Sequence, residues 1–228
     1  MPLPLAGAPS PLRRPPPQSR KELAVRAAGL HGRTVGEVAT ALGCELPTES
    51  RRGKGFIGQL AERALGADPA AGDRPDFPDL GVELKTIPMR RDIPVESTFC
   101  CSVTMATADT QLWESSRLRQ RLGCVLWLPV DGVDVAALAE RRFGRALLWE
   151  PSDRQLAQLR ADWEDLIGAL GSGRAVGGHE GQILQLRPKA ADASVRTLAP
   201  ADGGAALARP MGFYLRASFT ATILADAR

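Results

Sequence analysis

The chain has 228 residues, 44% of them hydrophobic and 24% charged, with a formal net charge of +3. That length supports one large domain or two lobes around a buried core, and the composition is that of an ordinary globular protein. No membrane-spanning helix is expected, because no apolar run reaches the roughly 18 residues that a bilayer helix needs, while the mild positive charge permits a nucleic-acid partner without requiring one.

The opening MPLPLAGAPSPLRRPPP is broken by prolines, so no secretory leader is expected. Its seven prolines predict a disordered, partly polyproline arm over 1–18, ahead of one folded domain over 19–228. From Ser19 the pattern turns helical, with Leu23, Ala27 and Leu30 on one face. A second helix is predicted after Thr34, with Glu37 completing a capping box. Arg51–Lys54 reads as a basic loop, and a helix from about Phe56 to Leu65 stops at Gly66. Strands are predicted over Asp79–Pro88, Thr98–Met105 and Cys124–Val130, the last a near-continuous apolar run typical of a buried strand. Trp113–Leu122 reads as a polar-faced helix or turn. Ser152 is placed to cap an amphipathic helix built on Leu156, Leu159, Trp163, Leu166, Ile167 and Leu170 and ended by Gly171. Gln182–Arg187 reads as a strand, 191–208 as helix and loop, Gly212–Arg216 as a strand, and a short helix follows from Ser218. Interspersed helices and strands give an α/β class with a mixed sheet.

Four cysteines, Cys44, Cys100, Cys101 and Cys124, lack C-x-x-C spacing. The adjacent pair would point to opposite faces of a strand, so free buried thiols in a reducing cytoplasm are expected. With only His31 and His179, a zinc site is not expected.

The stretch DFPDLGVELKTIP, from Asp76 to Pro88, carries the chemistry. On a strand, Glu83 and Lys85 project from one face, about 7 Å apart along the chain. Pro78 and Gly81 allow a turn that returns Asp76 to Glu83. Two converging carboxylates repel unless a cation lies between them, and Mg²⁺ is the hard ion that takes carboxylates, waters and phosphate oxygens. A lysine beside such an ion can hold an attacking water and stabilise charge growing on a phosphoryl oxygen. Spacing alone favours a solvated strand face with a Glu–Lys ion pair; the apolar context of the strand shifts the reading toward the metal-dependent nuclease pattern.

The segments GKGFIGQLAERALGA, DFPDLGVELKTIP, TFCCSV, LWESSRLRQRL, CVLWLPV, LAERRFGRALLWEPS, DRQLAQLRADWEDL, LQLRPKAA and GFYLRASFT run colinearly over about residues 20–225. Together they resemble the MutH family of methyl-directed mismatch-repair endonucleases. The resemblance implies a restriction-endonuclease-like mixed sheet flanked by helices, in two lobes around a DNA-binding cleft. It implies Mg²⁺-dependent nicking of the unmethylated strand 5′ to the G of hemimethylated GATC in double-stranded DNA. Activation by MutL, after MutS finds a mismatch, is implied likewise. By position, Asp76 and Glu83 match the family's metal ligands, Lys85 the catalytic lysine and Glu62 a further active-site acid. A second family lysine falls on Arg121; arginine keeps the charge but cannot exchange a proton, so a DNA-phosphate role is expected there. Arg187 and Lys189 match residues that enter the GATC major groove, and Tyr214 matches the sensor of adenine methylation. Arg51, Arg52, Lys54, Arg90 and Arg91 are candidate phosphate contacts. Two other readings are kept. A restriction enzyme cutting both GATC strands is disfavoured by single-domain length and by the absence of a dimerisation segment, which favours a monomer. A catalytically inactive DNA-binding relative is disfavoured by the retention of Asp76, Glu83, Glu62 and Lys85.

Overall fold

The computed structural model describes residues 13–47, 50–132, 137–174, 176–189, 195–201 and 204–225. Two helices open the fold, α1 (Arg20–Ala28) and α2 (Val35–Ala41). The Ser19 hydroxyl accepts the Glu22 N–H at the start of α1, and Thr34 and Glu37 form a reciprocal capping box on α2. Each cap satisfies backbone donors the helix leaves unpaired and contributes about 1 kcal/mol.

Helix α3 (Ser50–Leu65) begins before the expected Phe56, so Arg51–Lys54 is helical rather than a loop. Gly53, Gly55 and Gly58 made that stretch read as irregular. Ile57, Leu60, Ala61, Ala64 and Leu65 are nevertheless buried along one stripe, and a packed stripe propagates helix at little cost. The side chains of Arg51, Arg52 and Lys54, candidates for phosphate contact, lie outside what is described.

The strands, in chain order, are β1 (Glu83–Arg90), β2 (Ile93–Pro94), β3 (Thr98–Ser102), β4 (Val125–Asp131), β5 (Arg142–Phe143), β6 (Leu147–Trp149), β7 (Leu184–Pro188), β8 (Thr197–Ala201), β9 (Gly204–Ala208) and β10 (Met211–Leu215). β1 pairs in parallel with β4, Glu83 opposite Val125 and Pro88 opposite Val130. β2 joins β1 antiparallel, and β5 and β6 join β4 antiparallel, which makes the central sheet mixed. A second sheet has the order β3-β10-β7, all antiparallel.

Alternation along β1 and β4 feeds two buried clusters. Ile87, Met89, Val125 and Trp127 join Trp163, Leu184 and Phe213 on one side. Leu84, Leu126, Leu128 and Val130 join Leu23, Val38 and Leu60 on the other. A strand buried on both faces reads as continuously apolar for this reason. On the first side lies α5 (Asp153–Gly171), opened by a Ser152–Gln155 capping box. Its buried face includes one unexpected member, Asp162, whose Oδ2 accepts the N–H groups of Gln182, Ile183 and Leu184 at 2.9, 2.7 and 2.8 Å. That carboxylate pins the entry to β7. Two shorter helices, α4 (Arg117–Leu122) and α6 (Ala217–Ala225), complete the set.

Three further expectations are corrected. β1 starts at Glu83 rather than Asp79, because Pro78–Leu80 forms a 3-10 turn ended by Gly81 at φ +62°. β3 stops at Ser102, and Met105–Thr110 is 3-10 helix. Within 191–208, read as helix and loop, the described residues form the antiparallel β8–β9 hairpin; 191–194 and 202–203 lie outside the description. The arm expected over 1–18 is described only from Arg13, where it runs against α1 and α3. No described helix is long and apolar enough to cross a membrane.

Candidate active site and nucleic-acid interface

The turn expected from Pro78 and Gly81 is present. Phe77 and Val82 exchange backbone hydrogen bonds across it, at 2.9 and 3.2 Å. The chain therefore doubles back, and Asp76 Oδ2 accepts the Leu84 N–H at 2.8 Å. Only a residue without a Cβ adopts the φ of Gly81 without strain.

Glu83 is fully buried, with 0% exposure. Its Oε1 accepts from Lys85 Nζ at 2.5 Å and from Arg121 Nη1 at 2.6 Å. Its Oε2 is buried and has no hydrogen-bond partner. An unpartnered buried carboxylate oxygen is costly, so this atom is the point in the structure that calls most strongly for a cation. Burial, and then the Glu83 charge, push the Asp76 carboxyl above its ordinary range. The Glu62 carboxyl on α3 is also raised, first by burial and then by Asp76. Three acids thus act on one another while two cations already engage the innermost.

This donor set fits a hard divalent ion. Among the described residues no three His, Cys, Asp or Glu side chains are gathered closely enough to hold a metal unaided. Mg²⁺ does not ask for that: one or two carboxylates suffice, with waters and substrate phosphate oxygens filling the remaining positions. Asp76 and Glu83 are the pair that would hold it.

Arg121 makes contacts that its spacing did not foretell. Besides Glu83, it donates from Nη2 to Gly72 O at 2.7 Å and from Nε to Asp73 O at 3.4 Å. Its neighbour Arg117 pairs with the Asp73 carboxylate. Arg121 therefore ties the loop before Asp76 to Glu83, and its donors face protein rather than open solvent. Gly72 and Asp73 were missed because nothing in their local sequence marks them; only the fold brings them to Arg121.

The second group lies on the β3-β10-β7 sheet. The exposed Arg187 guanidinium sits 5.7 Å from the centroid of the Tyr214 ring. Lys189 Nζ lies 4.9 Å from the Phe99 centroid and donates to Ser102 Oγ at 2.6 Å. Phe99 and Tyr214 meet edge to face at 5.3 Å. Burial raises the Tyr214 hydroxyl above its ordinary range. Gln185 Nε2 on β7 donates to Ser97 Oγ, just before β3, at 2.5 Å. Phe99, Ser102 and Ser97 were missed; the available signal was the alternation of TFCCS, which turns Phe99 away from the buried Cys100. β3 also reaches toward the first group, because its Cys100 and Cys101 are buried in one core with Leu118 and Leu122 of α4, the helix that carries Arg121.

Residues 65–162 match the family model described as "DNA mismatch repair enzyme MutH". That span holds Asp76, Glu83, Lys85 and Arg121, and leaves Glu62, Arg187, Lys189 and Tyr214 outside. The chain is 44% identical over 218 residues to the DNA mismatch repair protein MutH of Shewanella amazonensis, covering 93% of this chain and 96% of the relative. It is 44% identical over 217 residues to the MutH protein of Vibrio cholerae, covering 92% and 97%. The MutH protein of Klebsiella pneumoniae is 44% identical over 214 residues, covering 92% and 93%.

Proposed function

Because the chain belongs to the MutH family, we propose that it is a DNA mismatch-repair endonuclease. It nicks the unmethylated strand 5′ to the G of hemimethylated GATC with Mg²⁺ as cofactor, acting as a cytoplasmic monomer that MutL activates after MutS has found a mismatch. A restriction-endonuclease-like architecture, with two lobes around a DNA cleft, belongs to the same proposal. The single observation that carries it is the buried, unpartnered Glu83 Oε2 beside Asp76 and Lys85, a constellation suited to phosphodiester hydrolysis and wasteful as mere structure.

Asp76 and Glu83 would hold the ion, which when bound polarises a phosphoryl oxygen and acidifies a water. Hydrolysis requires water oxygen to attack phosphorus while the opposite P–O bond breaks and the leaving oxygen gains a proton. Lys85 Nζ, held at Glu83 Oε1, orients the water and donates to the phosphoryl oxygen as negative charge accumulates. Glu62, raised by burial, would accept a proton from that water. Arg121 keeps Glu83 and the Gly72–Asp73 loop in register. Recognition rests on Arg187 and Lys189 donating to guanine acceptors in the major groove and on Tyr214 meeting the edge of adenine, where an N6-methyl would collide.

A nicking assay tests the proposal. Supercoiled plasmid with hemimethylated, fully methylated or unmethylated GATC is incubated with Mg²⁺ or EDTA, with and without MutL. The expected outcome is Mg²⁺-dependent nicks confined to unmethylated GATC strands and lost in Lys85→Ala. Binding without cleavage under every condition would instead leave an inactive relative, and double-strand breaks on unmethylated DNA a restriction enzyme.

A further inference from the structure

Arg13–Gln18 lies where composition predicts an unstructured arm, yet its backbone is tied down repeatedly. The Arg14 N–H donates to Arg63 O at 3.2 Å. Arg26 Nη1 donates to Pro15 O at 2.6 Å and to Leu65 O at 2.9 Å, so one guanidinium bridges the arm and the end of α3. The Gln18 N–H donates to Glu22 Oε2 at 2.7 Å. Pro17 is buried, and with Pro16 it lines a hollow whose other wall is Phe77, Pro78 and Leu80. That wall is the turn which returns Asp76 to β1.

Gly66 is the seat of this arrangement. It has φ +85°, and a Cβ there would stand 2.3 Å from Pro15 O. The glycine that ends α3 is therefore also what lets the arm lie down. Three consecutive prolines restrict the unfolded arm, which lowers the entropy lost on docking. The arm thus brackets the two elements that carry Glu62 and Asp76. The Arg14 N–H is registered against Arg63, the residue after Glu62, and the positive charge of Arg13 acts on the Glu62 carboxylate. The Arg13 side chain itself is exposed.

We propose that Arg13–Pro17 is a fixed strap closing one edge of the acid cluster, and that Arg13 binds a backbone phosphate of the DNA strand beside the bond to be cut. The inference rests on the nuclease reading above. Its logic is electrostatic. A cluster of Glu62, Asp76 and Glu83 repels a polyanion, and a cation anchored at its rim offsets that repulsion where the strand enters. Because the strap is already ordered, Arg13 gives up little freedom on binding. The strap's hydrogen bonds use backbone atoms of residues 14, 15 and 18, so removing the Arg13 side chain leaves them intact.

The test compares the unaltered chain with Arg13→Ala, Arg13→Lys, Arg14→Ala and Gly66→Ala on a hemimethylated GATC duplex. Affinity is measured over a salt series, and nicking gives KM and kcat. Arg13→Ala is expected to weaken binding about tenfold and to lower the slope of log K against log salt by about one, the signature of one lost phosphate contact. KM should rise with kcat within about twofold. Arg13→Lys should restore most of the affinity, Gly66→Ala should reproduce the Arg13→Ala loss by lifting Pro15, and Arg14→Ala should stay within twofold. Equal affinity, slope and KM for Arg13→Ala would overturn the strap alone, as would an equal loss in Arg14→Ala or no loss in Gly66→Ala. If the unaltered chain neither binds nor nicks the duplex, the nuclease reading falls and the strap falls with it.

Discussion

The acid cluster on β1 and the basic sheet β3-β10-β7 hold their charges in opposite ways. Glu83 is enclosed, with two cations on one oxygen, and Asp76 is tied to a backbone N–H. Arg187 and Lys189 are exposed and rest on aromatic faces. A cation on a ring is held by about 0.5–1 kcal/mol at such sites and can swing toward a base without leaving a buried partner unpaired. A buried carboxylate has no such freedom, since moving it strands its partners in a low-dielectric interior. The difference suits the two tasks: hydrolysis needs atoms placed to within a fraction of an ångström, whereas groove reading needs donors that adjust to the bases presented.

The largest expected effect lies in the enclosed region. Lys85→Ala and Asp76→Asn should each lower nicking by at least about 10³-fold, the range seen when a preorganised electrostatic contact is removed. Asp76→Asn should at the same time stabilise the metal-free protein at neutral pH. Asp76 and Glu62 are both raised in the folded state, so the folded chain binds more protons than the unfolded one above the ordinary carboxylate range. Stability of the metal-free chain should therefore fall as pH rises from that range through the folded-state values. Thermal unfolding in EDTA checks this: the midpoint should be higher near pH 5 than at pH 7.5. Asp76→Asn should remove part of that slope and raise the neutral-pH midpoint. A midpoint that drops on acidification by the same amount in both proteins would break the account of the enclosed region.

Arg121 comes next, because it ties the enclosed region to the loop before it. Arg121→Ala should reduce nicking about 10- to 100-fold. Arg121→Lys should recover only part of the loss, because an ammonium cannot span Glu83, Gly72 and Asp73 with one planar group. If Arg121→Lys were fully active, charge alone would be the requirement and the tie to the loop would be incidental. Smaller and of a different kind is Arg187→Ala, expected to cost about 1–3 kcal/mol of binding and to relax discrimination at one guanine. A competition series with single-base variants of GATC reads this directly; a loss uniform across all variants would make Arg187 a phosphate contact instead.

Much of the enclosed region was legible because its residues are close in sequence. Asp76, the Pro78–Gly81 turn, Glu83 and Lys85 lie within thirteen residues, and a strand's two-residue period aligns the last two. Arg121 was legible as a candidate but not in its contacts, since Gly72 O and Asp73 O are backbone atoms brought near by a long loop. The helix caps at Thr34 and Ser152 were readable for the same local reason. The β8–β9 hairpin was not: Ala199, Ala205 and Ala206 have low strand propensity, and their pairing is decided by cross-strand partners.

The smallest expected effect concerns β3, whose cysteines are buried between the two regions. Burial pushes the Cys100 thiol up to about 12 and the Cys101 thiol up to about 11. Thiolate is the reactive form, so at pH 8 neither should react with a disulfide reagent while the two regions stay packed. Cys44 is only partly buried and accepts from Arg63 Nη1 at 3.4 Å, which makes it the thiol expected to react first. Thiol titration of the native chain should show one early equivalent that vanishes in Cys44→Ser, with nicking unchanged within twofold. Repeating the titration with bound duplex then separates two ways of working. If Cys100 and Cys101 stay silent, the enclosed and exposed regions move as one body and the recognition side chains alone adjust. If they become reactive, β3 itself shifts when DNA binds, and the division between a rigid site and an adaptable reader no longer holds.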